Sequence, residues 1–227
     1  MISKSFLDLS DLFRSDKIHA AFTLKTFKHE EDGRRLLSSL INLDPNMIVN
    51  PQQVHSSNVK IVDKPGKILS TDAIISSSKS LVLSIQVADC IPLYLADPEN
   101  NVIGLAHAGW RGIEKNIIDY SIDKMIEQGA DNKKIIAYIG PSIQQCCFEI
   151  GPEVAKKFPR NFQTNGSADR LFLDLQELTK HLLIKNSILF NNIISSKECT
   201  KCNSNRYFSY RNNGLKSGRM IGVIGLN

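Results

Sequence analysis

Apolar runs of strand length recur along the chain, divided by polar turns. Residues 73–75, 81–87, 91–95, 102–106, 135–139, 188–194 and 220–226 each read as a β-strand, because short apolar runs bounded by turn signals suit strands buried on both faces. Two stretches keep a helical period instead. Ile113, Ile117, Tyr120, Ile122 and Met125 approximate one face, with Gly129 placed as a C-terminal stop. Asp174 and Glu177 form a capping pair ahead of Leu178, Leu182 and Leu183. The polar stretches 76–80 and 161–169, the second containing Asn165-Gly166, read as loops. Neither separates domains, and no internal repeat is present, so a single domain over residues 1–227 is expected. Strands and helices mix without strict βαβ alternation. That predicts a mixed α/β, or α+β, layered fold rather than a doubly wound parallel sheet.

Length and composition change this picture little. A chain of 227 residues with 42% hydrophobic and 22% charged residues has ordinary globular composition and enough length for a sizeable core. The balance of 28 basic against 23 acidic residues, 28 − 23 = +5, permits an anionic ligand without implying nucleic acid. Asp8, Asp11 and Asp16 interrupt the N-terminal stretch, so no signal-peptide core is expected there. No run approaches the roughly 18 apolar residues of a membrane helix. A soluble protein in a reducing cytoplasm is the expectation. Five cysteines are too few for a disulfide scaffold, so the thiols are read as buried, metal-bound or reactive.

Three segments carry candidate chemistry. His107 ends an apolar strand and opens the run His107-Ala-Gly-Trp-Arg111-Gly112. Its glycines permit close approach of a ligand, and Arg111 sits at a helix start, where anions are favoured. Cys90 follows Ala88-Asp89 at the end of a second apolar run, and His55 lies in the polar segment 51–57. Each has a plain structural reading: a tight turn, a small buried thiol, a solvated loop histidine. Together they are two imidazoles and a thiol at the edges of apolar elements. Their wide spacing excludes a zinc-finger pattern, but ligands that meet only in the folded chain, with a fourth position free, describe a catalytic zinc site. Cys199-Thr-Lys-Cys202 and Cys146-Cys147 raise a second, four-cysteine site. A lone CxxC is weak and adjacent cysteines rarely share one ion, so reduced, partly buried thiols are expected there.

The ordered motifs QVH at 53–55, ADC-x-P at 88–92, HAGWRG at 107–112, IGP at 139–141, CCFEIGPEV at 146–154 and CTKC with FSYR and GR near the C-terminus resemble the YfiH/YlmD family. Its members were first called multicopper polyphenol oxidases or laccase-domain proteins and later assigned as purine nucleoside phosphorylases with adenosine deaminase activity. The resemblance implies a four-layer α/β/β/α sandwich, similar to the catalytic domain of cytotoxic necrotizing factor. It implies metal ligands at His55, Cys90 and His107, with zinc as the metal; copper, which outcompetes zinc at many nitrogen and sulfur sites, can take its place. It implies phosphorolysis of adenosine, inosine and methylthioadenosine, and hydrolytic deamination of adenosine. Purine nucleosides and phosphate are then the partners; no membrane or nucleic-acid partner is expected, and the chain is expected as a monomer or homodimer. Asp89, Cys90 and His107 are the catalytic candidates, with Asp89 either moving protons or orienting a ligand. Gln53, Arg111 and Arg211 are the candidates for substrate or phosphate. The chain departs from the family pattern in residues 20–37, which lack an Asn-Leu segment, and at Asn212, where the family carries a second Arg.

Other functions are open to the same residues. Cys90 and His107 can form the nucleophile and base of a hydrolase or deamidase. The stretch 197–219 interleaves six basic residues with Tyr207, Phe208 and Tyr210, which suits phosphate, a stacked base or RNA, and equally a solvated rim over buried aromatics. A multicopper oxidase fits least. It needs a histidine-rich cluster beside its His₂Cys copper, and the chain has five histidines in all.

Overall fold

The computed structural model describes residues 5–28 and 32–227; His29 and the first four residues lie outside them. Two six-stranded sheets dominate. In spatial order the first holds β1 (Phe6–Asp8), β2 (Ile18–Thr23), β15 (Met220–Leu226), β7 (Val82–Val87), β3 (Ile48–Pro51) and β5 (Gly66–Ile68). The second holds β14 (Ile193–Ser195), β10 (Ile136–Ile139), β8 (Ile91–Asp97), β9 (Val102–Ala108), β6 (Ala73–Ser76) and β4 (Val59–Ile61). A small sheet is formed by β11 (Glu149–Ile150), β13 (Leu171–Leu173) and β12 (Gln163–Asn165).

The apolar strands are buried on both faces, and alternate residues divide between two layers. In β15, Met220, Ile224 and Leu226 join the buried cluster between the sheets. Ile221 and Val223 face the opposite way, toward Leu37 and Ile41 of helix α1 (Gly33–Leu40) and the residue after it. In β9, Ile103 and Leu105 face the first sheet, whereas Val102, Ala106 and Ala108 face α3 (Ile117–Glu127), through Ile118, Ile122 and Met125. After the single turn of α4 (Pro152–Ala155), α5 (Leu175–Lys185) packs beside α3, over β10 and β14. Helix, sheet, sheet and helix therefore stack in four layers, the expected α/β/β/α arrangement, and the period-two side-chain alternation of strands produces it.

Asp174 caps α5 as its sequence predicts, its carboxylate accepting from the Glu177 N–H at 2.9 Å. The other expected helix is broken. Asn116 adopts φ 67° between α2 (Trp110–Glu114) and α3, and Gly129, at φ 95°, follows the last turn. The expected strand 188–194 shortens to β14 because residues 190–192 form a 3₁₀ turn with the Phe190 ring exposed. Strands β1 to β5 went unpredicted: most are short and partly exposed at sheet edges, and lack a continuous apolar run.

Gly104 shows how tightly the layers meet. A Cβ built there would lie 2.6 Å from Ile75 Cδ1 and 3.1 Å from Met125 Sδ. We expect Gly104→Ala to cost about 1–3 kcal/mol through overpacking, read as a lower urea midpoint at unchanged slope.

Candidate functional site

Strand pairing places the first two residues of the site. β6 and β9 run antiparallel with Ala73 opposite Ala106, and the next step brings Asp72 beside His107, whose N–H donates to the Asp72 carbonyl at 2.7 Å. The Asp72 carboxylate also accepts from His107 Nδ1 at 2.8 Å. Both side chains are buried. A carboxylate oxygen can only accept, so Nδ1 carries a proton, and in the neutral ring Nε2 is the nitrogen left with its lone pair.

Asp72 also builds the turn that presents His55. It accepts from the backbone N–H groups of Val54 (3.2 Å), His55 (3.0 Å) and Ser56 (2.7 Å), and from Ser56 Oγ (2.7 Å). These donors compensate a buried charge that would otherwise cost several kcal/mol. They also hold His55 in the left-handed region, at φ 57°, a conformation uncommon outside glycine. Gln53 ties the start of this loop to β7: its amide donates to the Gln86 carbonyl at 2.7 Å and accepts from the Gln86 N–H at 2.8 Å.

Cys90 comes from a third direction. Residues 88–90 carry the chain from β7 in one sheet to β8 in the other, with Asp89 at φ 80°. The result is one ligand atom each from His55, Cys90 and His107, all within 4.8 Å of one another. The two imidazole rings are edge to face with centroids 4.7 Å apart. Gly109 closes the rear of the group: a Cβ there would lie 3.0 Å from Cys90 Sγ and 3.6 Å from His55 Cδ2. His107 is buried, Cys90 partly so and His55 exposed, which leaves an approach from solvent on the His55 side.

The three groups polarise each other. Burial alone would push the Cys90 thiol up, but the neighbouring His107, assisted by His55, brings it down to about 6. Burial alone would pull the His107 imidazole down, yet the Cys90 thiolate and the Asp72 carboxylate lift it to about 9. Burial would likewise raise the Asp72 carboxyl, and hydrogen bonds from His107 and Ser56 hold it at about 2. Without a metal, then, Cys90 and His107 form a thiolate–imidazolium pair near neutral pH. Two imidazole nitrogens and a thiolate at this spacing are also a borderline-soft donor set that suits zinc.

The remaining candidates sit around this group. The Asp89 carboxylate accepts from Thr200 Oγ1 (2.6 Å), Ser209 Oγ (3.0 Å) and the Arg211 N–H (2.7 Å), so it binds the C-terminal segment to the β7–β8 turn. The Arg211 guanidinium donates to the carbonyls of Cys147 (3.3 Å) and Glu149 (3.0 Å). Arg111 is exposed and stacks 4.3 Å over the Trp110 ring. In the basic stretch, Arg206 pairs with Glu198 at 2.7 Å, and Tyr207 is buried with its hydroxyl on the same carboxylate at 2.6 Å. Asp72 was missed by sequence reasoning. Its signal was an acid immediately before the wholly apolar run 73–75. Cys146, Cys147, Cys199 and Cys202 do converge, their sulfurs all within 4.8 Å of one another, although adjacent cysteines rarely both reach one ion.

A model of the family described as multi-copper polyphenol oxidoreductase laccase matches residues 28–227, and the chain belongs to that family. It is 31% identical over 205 residues to adenosine deaminase RL5 from an unknown prokaryotic organism, covering 83% of this chain and 78% of that protein. It is 29% identical over 220 residues to purine nucleoside phosphorylase YlmD of Bacillus subtilis, covering 87% and 79%. The crystal structure of the Bacillus licheniformis hypothetical protein YfiH superposes with a TM-score of 0.90 at 26% identity, over 100% of this chain and 98% of that one. Relatives named for two activities thus align with most of the chain, and a solved structure shares its fold. Among the described residues no helix is long and apolar enough to cross a membrane.

Two outcomes follow for the site. Asp72→Asn keeps the size of the side chain but sets an amide N–H₂ against a ring of donors; metal affinity should fall about 10–100-fold, measured by competition with a chromogenic chelator. In metal-free protein, alkylation of Cys90 by iodoacetamide should rise through pH 6, where the depressed thiol ionises, and level off above it. His107→Ala should move that midpoint upward, because the cation that stabilises the thiolate is gone.

Proposed function

We propose that this member of the multi-copper polyphenol oxidoreductase laccase family is a zinc-dependent purine nucleoside phosphorylase that also deaminates adenosine, the chain acting as one domain. The observation that carries the reading is the convergence of His55, Cys90 and His107 with the Asp72 carboxylate behind His107. The names of the relatives, one an adenosine deaminase and one a purine nucleoside phosphorylase, support it.

His55, Cys90 and His107 would hold the zinc. When bound, zinc supplies Lewis acidity and lowers the pKa of water to about 7. The chain's own groups do the rest. Asp72 keeps the proton on His107 Nδ1, so that in the neutral ring Nε2 is the nitrogen free to ligate, and its hold on the 54–56 turn keeps His55 directed at the same point. Gln53 fixes where that turn leaves the sheet. Of the two roles open to Asp89, orientation is favoured over proton transfer, since both of its oxygens already accept hydrogen bonds from the C-terminal segment. Arg111 is exposed, cationic and four residues beyond His107, which suits phosphate. Arg211 is braced on the Cys147 and Glu149 carbonyls, and its backbone N–H is tied to Asp89, the residue before Cys90.

In phosphorolysis a phosphate oxygen bonds to ribose C1′ as the bond to the purine nitrogen breaks, and the base leaves with a proton. In deamination water replaces the 6-amino group and ammonia leaves. Zinc, rather than copper, is favoured as the native metal. Among the described residues His19 lies on β2 and His181 packs against Phe162 at 5.4 Å, so neither joins a histidine-rich cluster of the kind a multicopper oxidase needs. A second reading has its own support: the thiolate–imidazolium pair with Asp72 behind it is the arrangement of a Cys–His hydrolase or deamidase.

Zinc-loaded protein incubated with adenosine, with and without phosphate, separates these. Adenine should form only with phosphate and inosine without it, both products disappearing when zinc is removed. Turnover that survives chelation but not alkylation of Cys90 would favour the hydrolase reading.

A further inference from the structure

The four cysteines outside the site described above meet for a topological reason. β10 and β14 are parallel neighbours, with Ile139 opposite Ser195. Their continuations leave the sheet at the same end and stay in step: the Ser196 N–H donates to the Ile139 carbonyl at 2.8 Å, Ser142 bridges to Cys199, and the Thr200 N–H donates to the Ser142 carbonyl at 3.1 Å. From that register the two chains turn toward each other and bring Cys146 and Cys147 over the Cys199–Cys202 turn. Cys202 Sγ lies 3.7 Å from Cys146 Sγ and 3.4 Å from Cys147 Sγ.

These separations suit a metal ion. Sulfurs placed about 2.3 Å from a tetrahedral zinc lie about 3.8 Å apart along each edge. A disulfide needs about 2.05 Å and would use only two of the four. Burial would raise the Cys199 thiol, but the backbone N–H groups of Gln144, Cys202 and Lys201 hold it below its ordinary value, and such donors stabilise a ligating thiolate. Cys199 is buried, while Cys146 and Cys202 are exposed, so an ion has a route in.

We propose that Cys146, Cys147, Cys199 and Cys202 bind one zinc ion as a closed, four-thiolate structural site, independent of the reaction performed at His55, Cys90 and His107. Binding releases the thiol protons and involves no change of oxidation state. The consequence reaches the neighbouring site through the backbone. The Cys147 carbonyl receives the Arg211 guanidinium, and the Lys201 carbonyl receives Asn212 Nδ2 at 3.1 Å. Thr200, inside the turn, donates to Asp89. The ion would clamp the two chains that hold the Tyr210–Asn213 turn against the residue preceding Cys90.

The test is made on the full chain carrying His55→Ala and Cys90→Ala, which removes two ligands of the first site. Elemental analysis should find one zinc per chain. Exchange for Co²⁺ should give thiolate-to-cobalt charge-transfer absorption in the near ultraviolet and the visible bands of a tetrahedral four-sulfur centre. Adding Cys146→Ser and Cys147→Ser, at exposed and partly exposed positions, should abolish both. Should the doubly substituted background fail to fold, the difference in zinc content and cobalt spectrum between the unmodified chain and its Cys146→Ser/Cys147→Ser variant reads the same quantity. Full retention of zinc and of the four-sulfur spectrum after the cysteine substitutions would overturn the proposal. So would a disulfide among the four in the non-reducing mass of freshly purified protein.

Discussion

One buried carboxylate organises the candidate site. Asp72 receives three backbone N–H groups and a hydroxyl from the 54–56 turn on one side and the His107 imidazole on the other. A charge taken out of water persists only if its partners are in place, so the same condition that lets Asp72 stay ionised also positions both histidines. The turn cannot relax without exposing the carboxylate to an apolar surrounding. His107 cannot change tautomer without losing its partner. Cys90 completes the group from the crossover between the two sheets, and its thiolate and the imidazolium stabilise each other in turn.

The sandwich explains why such distant residues can be held this firmly. Each sheet is buried on its inner face and covered by helices outside, with β9 and β15 sorting their side chains alternately into the two layers. His107 and Cys90 stand at the ends of strands that belong to this doubly covered core. His55 alone comes from an exposed loop, and it is the residue with the largest set of supporting backbone contacts through Asp72. The left-handed backbone at His55 and Asp89 is strain placed at the functional end of the sheets, where the surrounding structure over-determines it.

The central strands were legible because both faces are buried: β7, β8, β9 and β15 are predominantly apolar runs of strand length. Cys90 and His107 were legible because they follow or end such runs, and His55 because it closes the QVH motif of a polar segment. Edge strands such as β5 carry no comparable signal, since half of each is solvated and its pairing is set by neighbours far away in sequence. Asp72 was hidden for a different reason. An acid before a strand looks like a solvated terminus, and only the register of β6 against β9 turns it inward onto His107. The convergence of Cys146 and Cys147 on Cys202 was equally hidden, because it follows from the parallel pairing of β10 and β14 and not from spacing within either segment.

The position of β15 has a consequence for how the chain comes to be folded. Residues 220–226 lie between β2, formed by residues 18–23, and β7, formed by residues 82–87. On a ribosome those two strands emerge early and must wait for their common partner, their edges unsatisfied, until nearly all of the described chain has been made. Such late closure by a non-local strand slows folding and leaves sticky edges open to wrong pairing. The arrival of β15, more than any local nucleation, therefore sets when the first sheet can close.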